Sequence, residues 1–396
     1  MSKSTTVLAV ALGLVVAAAG FLVWETAFLN SLLLGLASGL WISILVILVT
    51  GGLWLASYET DSPAWSIAAG AASVVGAIVL VGGGIFGSYW ADQAYLKQVT
   101  VASTDAAPTL RERPALVVAR NQVASQVTTV GDQKQSAYIP DTGSTETGTD
   151  RFATLIASKD AFAGYTEIVS QKVALTGQST KDNCRFAPDA GKRLDGVLTA
   201  NLTRWIAQMA GYGTFWDSND AYGYCEASTP IVVVPLKHLQ GIWPVIEVPA
   251  GVAVYNGTTG DLQVLHGKDA SSVRGPSVPE TYARTLWEAT TAQGNWWDYV
   301  WSKVGFADTA SDAADPNGEN RSEFVLATTD GKLAFVTPLT RRGASTGISA
   351  VSVTTATTGD GLPAMTIYEY PDGTTRKSNS AAVDQIRAQF GDLSWA

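Results

Sequence analysis

Side chains that could act as general acids, bases or nucleophiles are sparse in this chain of 396 residues. Histidine occurs only twice, as His238 and His266, so a Ser-His triad would have just these two residues from which to draw its base. Paired carboxylates are the alternative chemistry, because two of them flanking a glycosidic bond can hydrolyse it. Asp217, Asp220 and Glu247 are the candidates for such a pair. They define one functional hypothesis, an enzyme that hydrolyses glycans.

Three short strings look like sites of known chemistry, but each is typical of a turn. DTGS at residues 141–144 matches the string of aspartic proteases, although Pro140 precedes it and the chain has no second DTG. Residues 217–220 and 315–319 have the oxygen density of calcium loops but lack the EF-hand spacing. Turn chemistry explains all three strings, and we expect neither a metal nor a cofactor.

The two cysteines of the chain, Cys184 and Cys225, are 41 residues apart. Two cysteines are the minimum for a disulfide, which persists in oxidising compartments outside the cytoplasm. The alternatives are a metal half-site and a nucleophilic thiol, but the chain has no CxxC spacing and its histidines are distant. We predict a disulfide that stabilises the fold by about 3 to 4 kcal/mol.

Three long apolar runs occupy residues 1–90, and each is long enough to cross a bilayer. They cover residues 5–24, 28–57 and 66–90, and a transmembrane helix needs roughly 20 apolar residues. Tryptophans lie mostly at the ends of the runs, where an indole ring favours the headgroup layer. These are Trp24, Trp41, Trp54, Trp65 and Trp90. We predict an N-terminal bundle of three transmembrane helices.

The orientation of these runs follows from their number rather than from their charges, because the connecting loops carry only Glu25, Glu59 and Asp61. Three retained spans with a cytoplasmic start place the rest of the chain outside. If the first run is instead a cleaved signal peptide, two spans remain with both ends outside. We favour retention because the run continues unbroken to Trp24. Both interpretations predict a multi-pass protein of the cell membrane with an extracytoplasmic C-terminal domain.

Small residues within the runs indicate how the helices pack. Gly35 and Gly39 form one GxxxG pair, and Gly83 and Gly87 form another. Such pairs let helices approach closely, either within the chain or in a homo-oligomer, although glycine is also simply frequent in spans. No ionisable residue lies inside a span, which argues against a pump or a coupled transporter.

The remainder of the chain is polar and predicts an α+β domain of antiparallel sheet and helices. Residues 91–150 are expected to form a stalk and a polar loop, 151–270 one α+β half with the disulfide, and 271–396 a second half. Helices are predicted at residues 152–173, 191–209 and 280–304, the second from apolar residues three and four apart.

Turn residues between apolar runs predict three hairpins, at residues 251–265, 324–336 and 365–377. A weak sequence similarity between residues 233–261 and 336–360 suggests that the two halves are related. VVPLK at residues 233–237 resembles VTPLT at 336–340, and TTGD recurs at 258–261 and 357–360. A duplication within the chain explains this similarity. A chance match between strings of simple composition is the alternative.

The segment VAVYNGTTGDLQVL, residues 252–265, resembles the strand-turn-strand hairpin of PepSY-type extracytoplasmic modules. The whole chain resembles uncharacterised multispanning envelope proteins of actinobacteria and their phages. The strings that carry this resemblance are CRF at 184–186, NLTRW at 201–205, PAGVAVY at 249–255 and VTPLT at 336–340. The resemblance implies a place in the cell envelope and no catalytic residue.

Aromatic residues are in excess in the polar part of the chain. Exposed Trp and Tyr rings offer flat contact surface to proteins or sugars, whereas buried rings build a core. We assign Trp216, Trp243, Tyr222 and Tyr224 to a binding surface, because both indoles lie in loop-like sequence. Other indoles, including Trp297 and Trp301 four residues apart on one helical face, are interpreted as core.

These observations favour a membrane-anchored binding or scaffold protein without catalytic activity. Its expected partner is another envelope protein or a wall polymer, and a homo-oligomer through the membrane helices is a further expectation. The glycan hydrolase is the alternative function. Nucleic acid is not an expected partner, because the formal net charge is −9 and no basic cluster occurs.

Overall fold

The computed structural model describes the greater part of the chain. Its described residues are 13–21, 32, 34, 41–60, 63–111, 133–140, 151–172, 180–211, 213–241, 244–309, 324–343, 347–359, 361–371, 374 and 376–377. The fold is α+β with largely antiparallel sheets, as the sequence predicted.

Two long helices come first, α1 at Trp41–Thr60 and α2 at Pro63–Tyr95, and both are long and apolar enough to cross a membrane. The helix α2 extends five residues beyond Trp90, where the third span was predicted to end. In the first predicted run, residues 13–21 are helical, and the rest of that run lies outside the described residues. The bundle of three spans therefore stays a prediction.

The two helices pack as an antiparallel hairpin. The hydroxyl oxygens of Ser57 and Ser66 lie 2.6 Å apart near the turn. Further along, a Cβ atom at Gly76 would lie 2.6 Å from Val46 Cγ1, so the helices touch closely there. A Cβ at Gly83, by contrast, would meet no atom of the described residues within 4 Å. Gly76 rather than Gly83 mediates this contact, because its missing side chain admits Val46.

Gly35 and Gly39 lie outside the described residues. Gly83 and Gly87 lie in α2, and their predicted role in a homo-oligomer stays a prediction.

Replacing Gly76 with Val is expected to separate α1 from α2 at a cost of about 1 to 3 kcal/mol, because the new side chain overpacks against Val46. The matched change Gly83→Val should be nearly neutral. Oxidative cross-linking of a Ser57→Cys/Ser66→Cys pair reports the separation, and its yield should fall only with Gly76→Val. Equal yields in the two backgrounds would contradict the helix contact.

The strands form three sheets. The four-stranded sheet has the order β2-β3-β4-β5, with β2 at Gln133–Ile139, β3 at Arg151–Ala157, β4 at Tyr165–Lys172 and β5 at Thr180–Arg185. The five-stranded sheet comprises β6 at Thr214–Phe215, β7 at Tyr222–Glu226, β8 at Thr229–Gln240, β9 at Ile246–Asn256 and β10 at Leu262–Leu265. The six-stranded sheet comprises β1 at Val99–Ser103, β11 at Phe306–Asp308, β12 at Phe324–Ala327, β13 at Leu333–Arg341, β14 at Ala350–Thr355 and β15 at Met365–Glu369.

Helical segments connect and flank the sheets. The α-helices are α3 at Leu202–Ala210, α4 at Gly267–Ala270, α5 at Glu280–Glu288 and α6 at Trp296–Val300. Short 3₁₀ turns lie at Leu96–Gln98, Thr104–Ala106, Pro188–Ala190, Leu198–Ala200, Ser218–Asp220 and Ala289–Gln293. The helical segment predicted at 280–304 is confirmed by α5 and α6.

The four-stranded sheet is buried on both faces. Leu155 and Ile168 belong to one buried cluster with strands of the five-stranded sheet. Phe152, on the opposite face, packs in a cluster with Leu326 and Val336 of the six-stranded sheet. The helix predicted at residues 152–173 is therefore wrong, because a strand covered on both sides loses the alternation that identifies strands.

The outer face of the six-stranded sheet packs on α5 and on the end of α2. Phe335 and Leu339 of β13 lie in one buried cluster with Leu286 of α5 and with Tyr95 of α2. The four-stranded sheet therefore lies between the two larger sheets. The helices α5 and the end of α2 cover the six-stranded sheet, and Tyr95 of α2 also bonds to β9 of the five-stranded sheet. Tyr95, the last residue of α2, is therefore part of the domain core.

The two larger sheets share one strand order. In the five-stranded sheet the order is β10-β9-β8-β6, and β7 also pairs with β8. In the six-stranded sheet the order is β15-β14-β13-β11. There β12 also pairs with β13, and β1 pairs with β15. The two pairs of similar strings lie at corresponding strands of the two sheets. VVPLK lies in β8 and VTPLT in β13, while the TTGD strings follow β9 and β14.

Two of the three predicted hairpins are confirmed, since β9 pairs with β10 and β12 with β13. The third is wrong, because β15 lies between β14 and the parallel strand β1. Strand β1, like β2, comes from the segment 91–150, so that segment contributes to two sheets and is not only a stalk and loop.

The helix predicted at 191–209 is confirmed from Leu202 onwards, where Asn201 caps it by accepting a hydrogen bond from Arg204 N at 2.8 Å.

Candidate functional site

The predicted disulfide is confirmed, and it joins two sheets. Cys184 lies in β5 of the four-stranded sheet and Cys225 in β7 of the five-stranded sheet. The Cys184 side chain is buried in the same cluster as Leu155 and Ile168. The bond thus connects the two layers beside their shared core, and it fits an oxidising compartment.

The predicted aromatic surface is wrong for its two tyrosines. Tyr222 and Tyr224 in β7 are only 2% and 7% exposed, because β7 lies against the four-stranded sheet. The Tyr222 hydroxyl donates to the Pro276 carbonyl at 3.0 Å, which satisfies it inside the core. Trp216 is half-buried against the same core. Trp243 lies outside the described residues.

The carboxylates of the hydrolase hypothesis do not form an open pair. Asp220 is buried and accepts a hydrogen bond from Thr281 Oγ1 at 3.0 Å. Glu247 forms an ion pair with the buried Lys237, with Nζ and Oε2 3.1 Å apart. Asp217 accepts a hydrogen bond from the Asn219 backbone N–H and so caps a short turn. A glycosidase needs two accessible carboxylates facing a sugar, so this arrangement speaks against that chemistry.

Asp220 makes the stability of the domain depend on pH. Burial raises its pKa to about 6, helped by the charge of Asp217 and opposed by the hydrogen bond from Thr281. The folded protein therefore holds this proton more tightly than the unfolded chain, where the pKa is about 3.9. The stability that protonation supplies is complete below pH about 4 and is lost as the pH rises through about 6.

Replacing Asp220 with Asn should remove this loss, because the amide oxygen can still accept from Thr281 and carries no charge. We expect the variant to gain on the order of 2 to 3 kcal/mol over the native protein at neutral pH and to match it near pH 4. Denaturant unfolding of the full chain in detergent between pH 4 and pH 8 measures the difference. Parallel pH profiles for the two proteins would contradict the assignment.

The only two histidines of the chain line one cleft of about 380 Å³ between the five-stranded sheet and the loop after β14. His266 Nδ1 lies 2.6 Å from the Ala250 carbonyl, so Nδ1 donates and Nε2 of the neutral ring is left as an acceptor. No carboxylate or thiol is among the described residues that line the cleft. Nor do the described residues contain a group of three metal-ligating side chains. The cleft therefore shows neither a triad nor a metal set.

The sequence contains one serine motif of the type found in hydrolases. Residues 343–347 read GASTG, which fits Gly-x-Ser-x-Gly. In a nucleophile elbow the motif joins a strand to a helix. Here it connects the antiparallel strands β13 and β14, and residues 344–346 lie outside the described part. The topology is therefore not that of a hydrolase elbow.

A set of hydrogen bonds and ring contacts joins the end of α2 to the domain. Gln93 Nε2 donates to the Ala292 carbonyl, and the Tyr89 hydroxyl donates to the Gly294 carbonyl at 3.4 Å. The ring of Phe86 stacks on Trp296 with centroids 4.9 Å apart. The segment before α6 thus runs along α2, and we call this contact region, residues 86–95 with 292–299, the junction.

Tyr95 completes the junction inside the core. Its hydroxyl accepts from the Glu247 backbone N–H at 2.6 Å and donates to the Glu247 carbonyl at 3.1 Å. The ring is 6% exposed and packs edge-on against Tyr282. The last turn of α2 is therefore bonded to β9 and packed on α5.

Beside the junction lies a cleft of about 670 Å³, lined by Ser88 and Asp92 of α2 and by Tyr299 and Arg342 among others. Sequence reasoning ended the third span at Trp90 and did not find the junction. The available signal was the spacing of Phe86, Tyr89 and Gln93, which are three and four residues apart and continue one helical face beyond the apolar run.

Comparisons of the chain with protein-family models, with curated proteins and with solved structures gave no match. The resemblance to PepSY-type modules and to envelope proteins of actinobacteria therefore stays an expectation.

Proposed function

We propose that this chain is a membrane-anchored scaffold or binding protein, whose α+β domain is held outside the cytoplasm and engages another envelope protein or a wall polymer. The junction is the observation that carries the proposal. It makes the membrane helix and the domain one packed body rather than two bodies joined by a tether.

The connection between α2 and the domain is stiff. A flexible linker lets a domain sample many orientations. Here α2 is continuous from Pro63 to Tyr95, and its last turns are hydrogen-bonded and packed against α5 and α6. A domain connected in this way presents its surfaces at a fixed height and angle above the bilayer. That geometry suits the assembly of partners on the membrane.

The chemistry of the described residues also favours binding over catalysis. Asp220 and Glu247 are committed to internal partners, and the histidine cleft has no described acid beside it. The glycan hydrolase remains the alternative proposal, and assays of wall hydrolysis would decide it.

The proposal includes three spans, with the cytoplasmic start expected from the sequence. It also includes two related halves, which the shared strand order of the larger sheets supports. A homo-oligomer through the membrane helices is supported by Gly83, where no atom of the described residues lies within 4 Å of the Cβ position.

Topology is tested on intact cells stripped of their wall. External protease should remove the domain and leave α1 and α2, and the two cysteines should react with an alkylating reagent only after reduction. A domain protected from external protease and cysteines that react without reduction would overturn the placement.

Binding is tested by affinity capture of the full chain from mild detergent, with a chain truncated after Gln98 as the matched control. We expect an envelope protein or a wall fragment with the full chain only. Recovery of the same material with both chains would refute the scaffold function.

A further inference from the structure

We infer that the exposed face formed by Trp297 and Val300 of α6, together with Trp301 directly after the helix, lies in the headgroup layer of the membrane that α2 spans and contacts lipid there. We call this face the indole face. The inference rests on the proposed membrane anchoring, which it deepens by assigning a second membrane contact to the domain.

Residues 292–296 run along α2 towards the membrane. Ala292 is bonded to Gln93, Gly294 to Tyr89, and Trp296 stacks on Phe86. An α-helix rises about 1.5 Å per residue, so the contact at Phe86 lies about 10 Å closer to the membrane than the contact at Gln93. The segment that leads into α6 therefore descends along the membrane helix.

Phe86 lies at the level of the bilayer. Trp65 and Trp90, near the two ends of the apolar part of α2, are about 38 Å apart along the helix at about 1.5 Å per residue. This length matches a hydrocarbon core of about 30 Å together with part of each headgroup layer. Phe86 lies one turn inside Trp90, at the boundary between hydrocarbon and headgroups, and Trp296 lies beside it.

The indole rings of the face are largely exposed. Trp297 and Trp301 are 66% and 67% exposed and lie four residues apart on one side of α6, with the exposed Val300 beside them. Interpreting these indoles as core was therefore wrong. Indoles of this kind favour the headgroup layer, where the ring meets apolar chains and the N–H meets polar groups.

The polar groups of α6 fit the same placement. Asn295 caps the start of α6 by accepting a hydrogen bond from the Asp298 backbone N–H at 3.1 Å, and its Nδ2 donates to the Asp298 carboxylate at 2.7 Å. Lys303 follows the indole face and is exposed, so its ammonium group can reach lipid phosphates. The face thus combines two rings with a basic group at its edge.

The test uses single cysteines carrying an environment-sensitive fluorophore, since the native cysteines are bonded to each other. Trp297→Cys and Trp301→Cys report the indole face. Phe162→Cys is the matched control, because Phe162 is 64% exposed and lies between β3 and β4 of the four-stranded sheet. The full chain is reconstituted into phosphatidylcholine vesicles and quenched by aqueous iodide or by lipid spin-labelled near the headgroup.

We expect iodide to quench the labels at positions 297 and 301 at least about threefold less than the label at 162, and spin-labelled lipid to quench only the first two. Equal iodide quenching at all three positions would overturn the inference. Shielding from iodide without quenching by lipid would also overturn it, since a partner protein or a second copy would then cover the face.

Failure of the anchoring itself is recognised separately by washing the vesicles with alkaline carbonate. A protein removed by the wash is not integral, and the proposed function fails. A protein that stays in the vesicles but exposes its labels to iodide refutes the indole face alone.

Discussion

Replacing Cys184 with Ser is expected to lower the free energy of unfolding of the domain by about 3 to 4 kcal/mol. The disulfide closes a loop between residues 41 apart in sequence. Without it the unfolded chain gains conformational freedom, while the native contacts around β5 and β7 stay in place. The loss is large because the whole net stability of a domain is about 5 to 15 kcal/mol.

Denaturant unfolding of the full chain in detergent, followed by near-ultraviolet circular dichroism, measures this loss. Cys225→Ser should give the same shift, and the double variant should give no more than either single one, because all three lack the same bond. Native protein treated with reductant serves as the control. If it unfolded at the same midpoint before and after reduction, the assigned contribution would be refuted.

Replacing Tyr95 with Ala is expected to cost about 3 to 5 kcal/mol and to loosen the domain from α2. The substitution removes a buried ring that packs with Tyr282 and Leu286. It also leaves the Glu247 backbone N–H and carbonyl without the hydroxyl that bonds both. Packing and hydrogen bonding are therefore lost at the same point of the junction.

The control variant Tyr95→Phe separates these two contributions. It keeps the ring and should cost only about 1 to 3 kcal/mol, from the unsatisfied Glu247 groups. Unfolding of both variants is measured in detergent, together with proteolysis of the segment Leu96–Gln98. We expect cleavage there to increase strongly for Tyr95→Ala and little for Tyr95→Phe. Equal behaviour of the two variants would show that the ring does not hold the junction.

The features that sequence reasoning predicted correctly depend on short-range chemistry. Hairpins at β9–β10 and β12–β13 follow from Asn256-Gly257 and Asp330-Gly331, whose backbones favour tight turns. The α3 helix from Leu202 follows from apolar residues at helical spacing. The errors arose where distant segments meet. β3 and β4 were read as one helix because sheets on both sides bury residues such as Phe152 and Leu155.

The third hairpin failed for a related reason. Its turn residues are real, but Met365–Glu369 finds its partners in β14 and in β1, which is more than 260 residues earlier in the chain. The candidate site shows the same limit. Tyr222 and Tyr224 have the composition of a binding surface, yet the four-stranded sheet covers them, while Trp297 and Trp301 have the spacing of a core and remain exposed.

The sequence by itself determined that the chain has apolar helices of membrane-spanning length, an α+β domain after them, and a cysteine pair able to bond, because length, composition and local spacing set these features. Only the tertiary structure decided which aromatic rings are buried, which carboxylates are already engaged, and that α2 ends inside the core at Tyr95. Burial and pairing are properties of contacts between residues far apart in the chain. Composition constrains such contacts only weakly, so they follow from the packing of the whole fold.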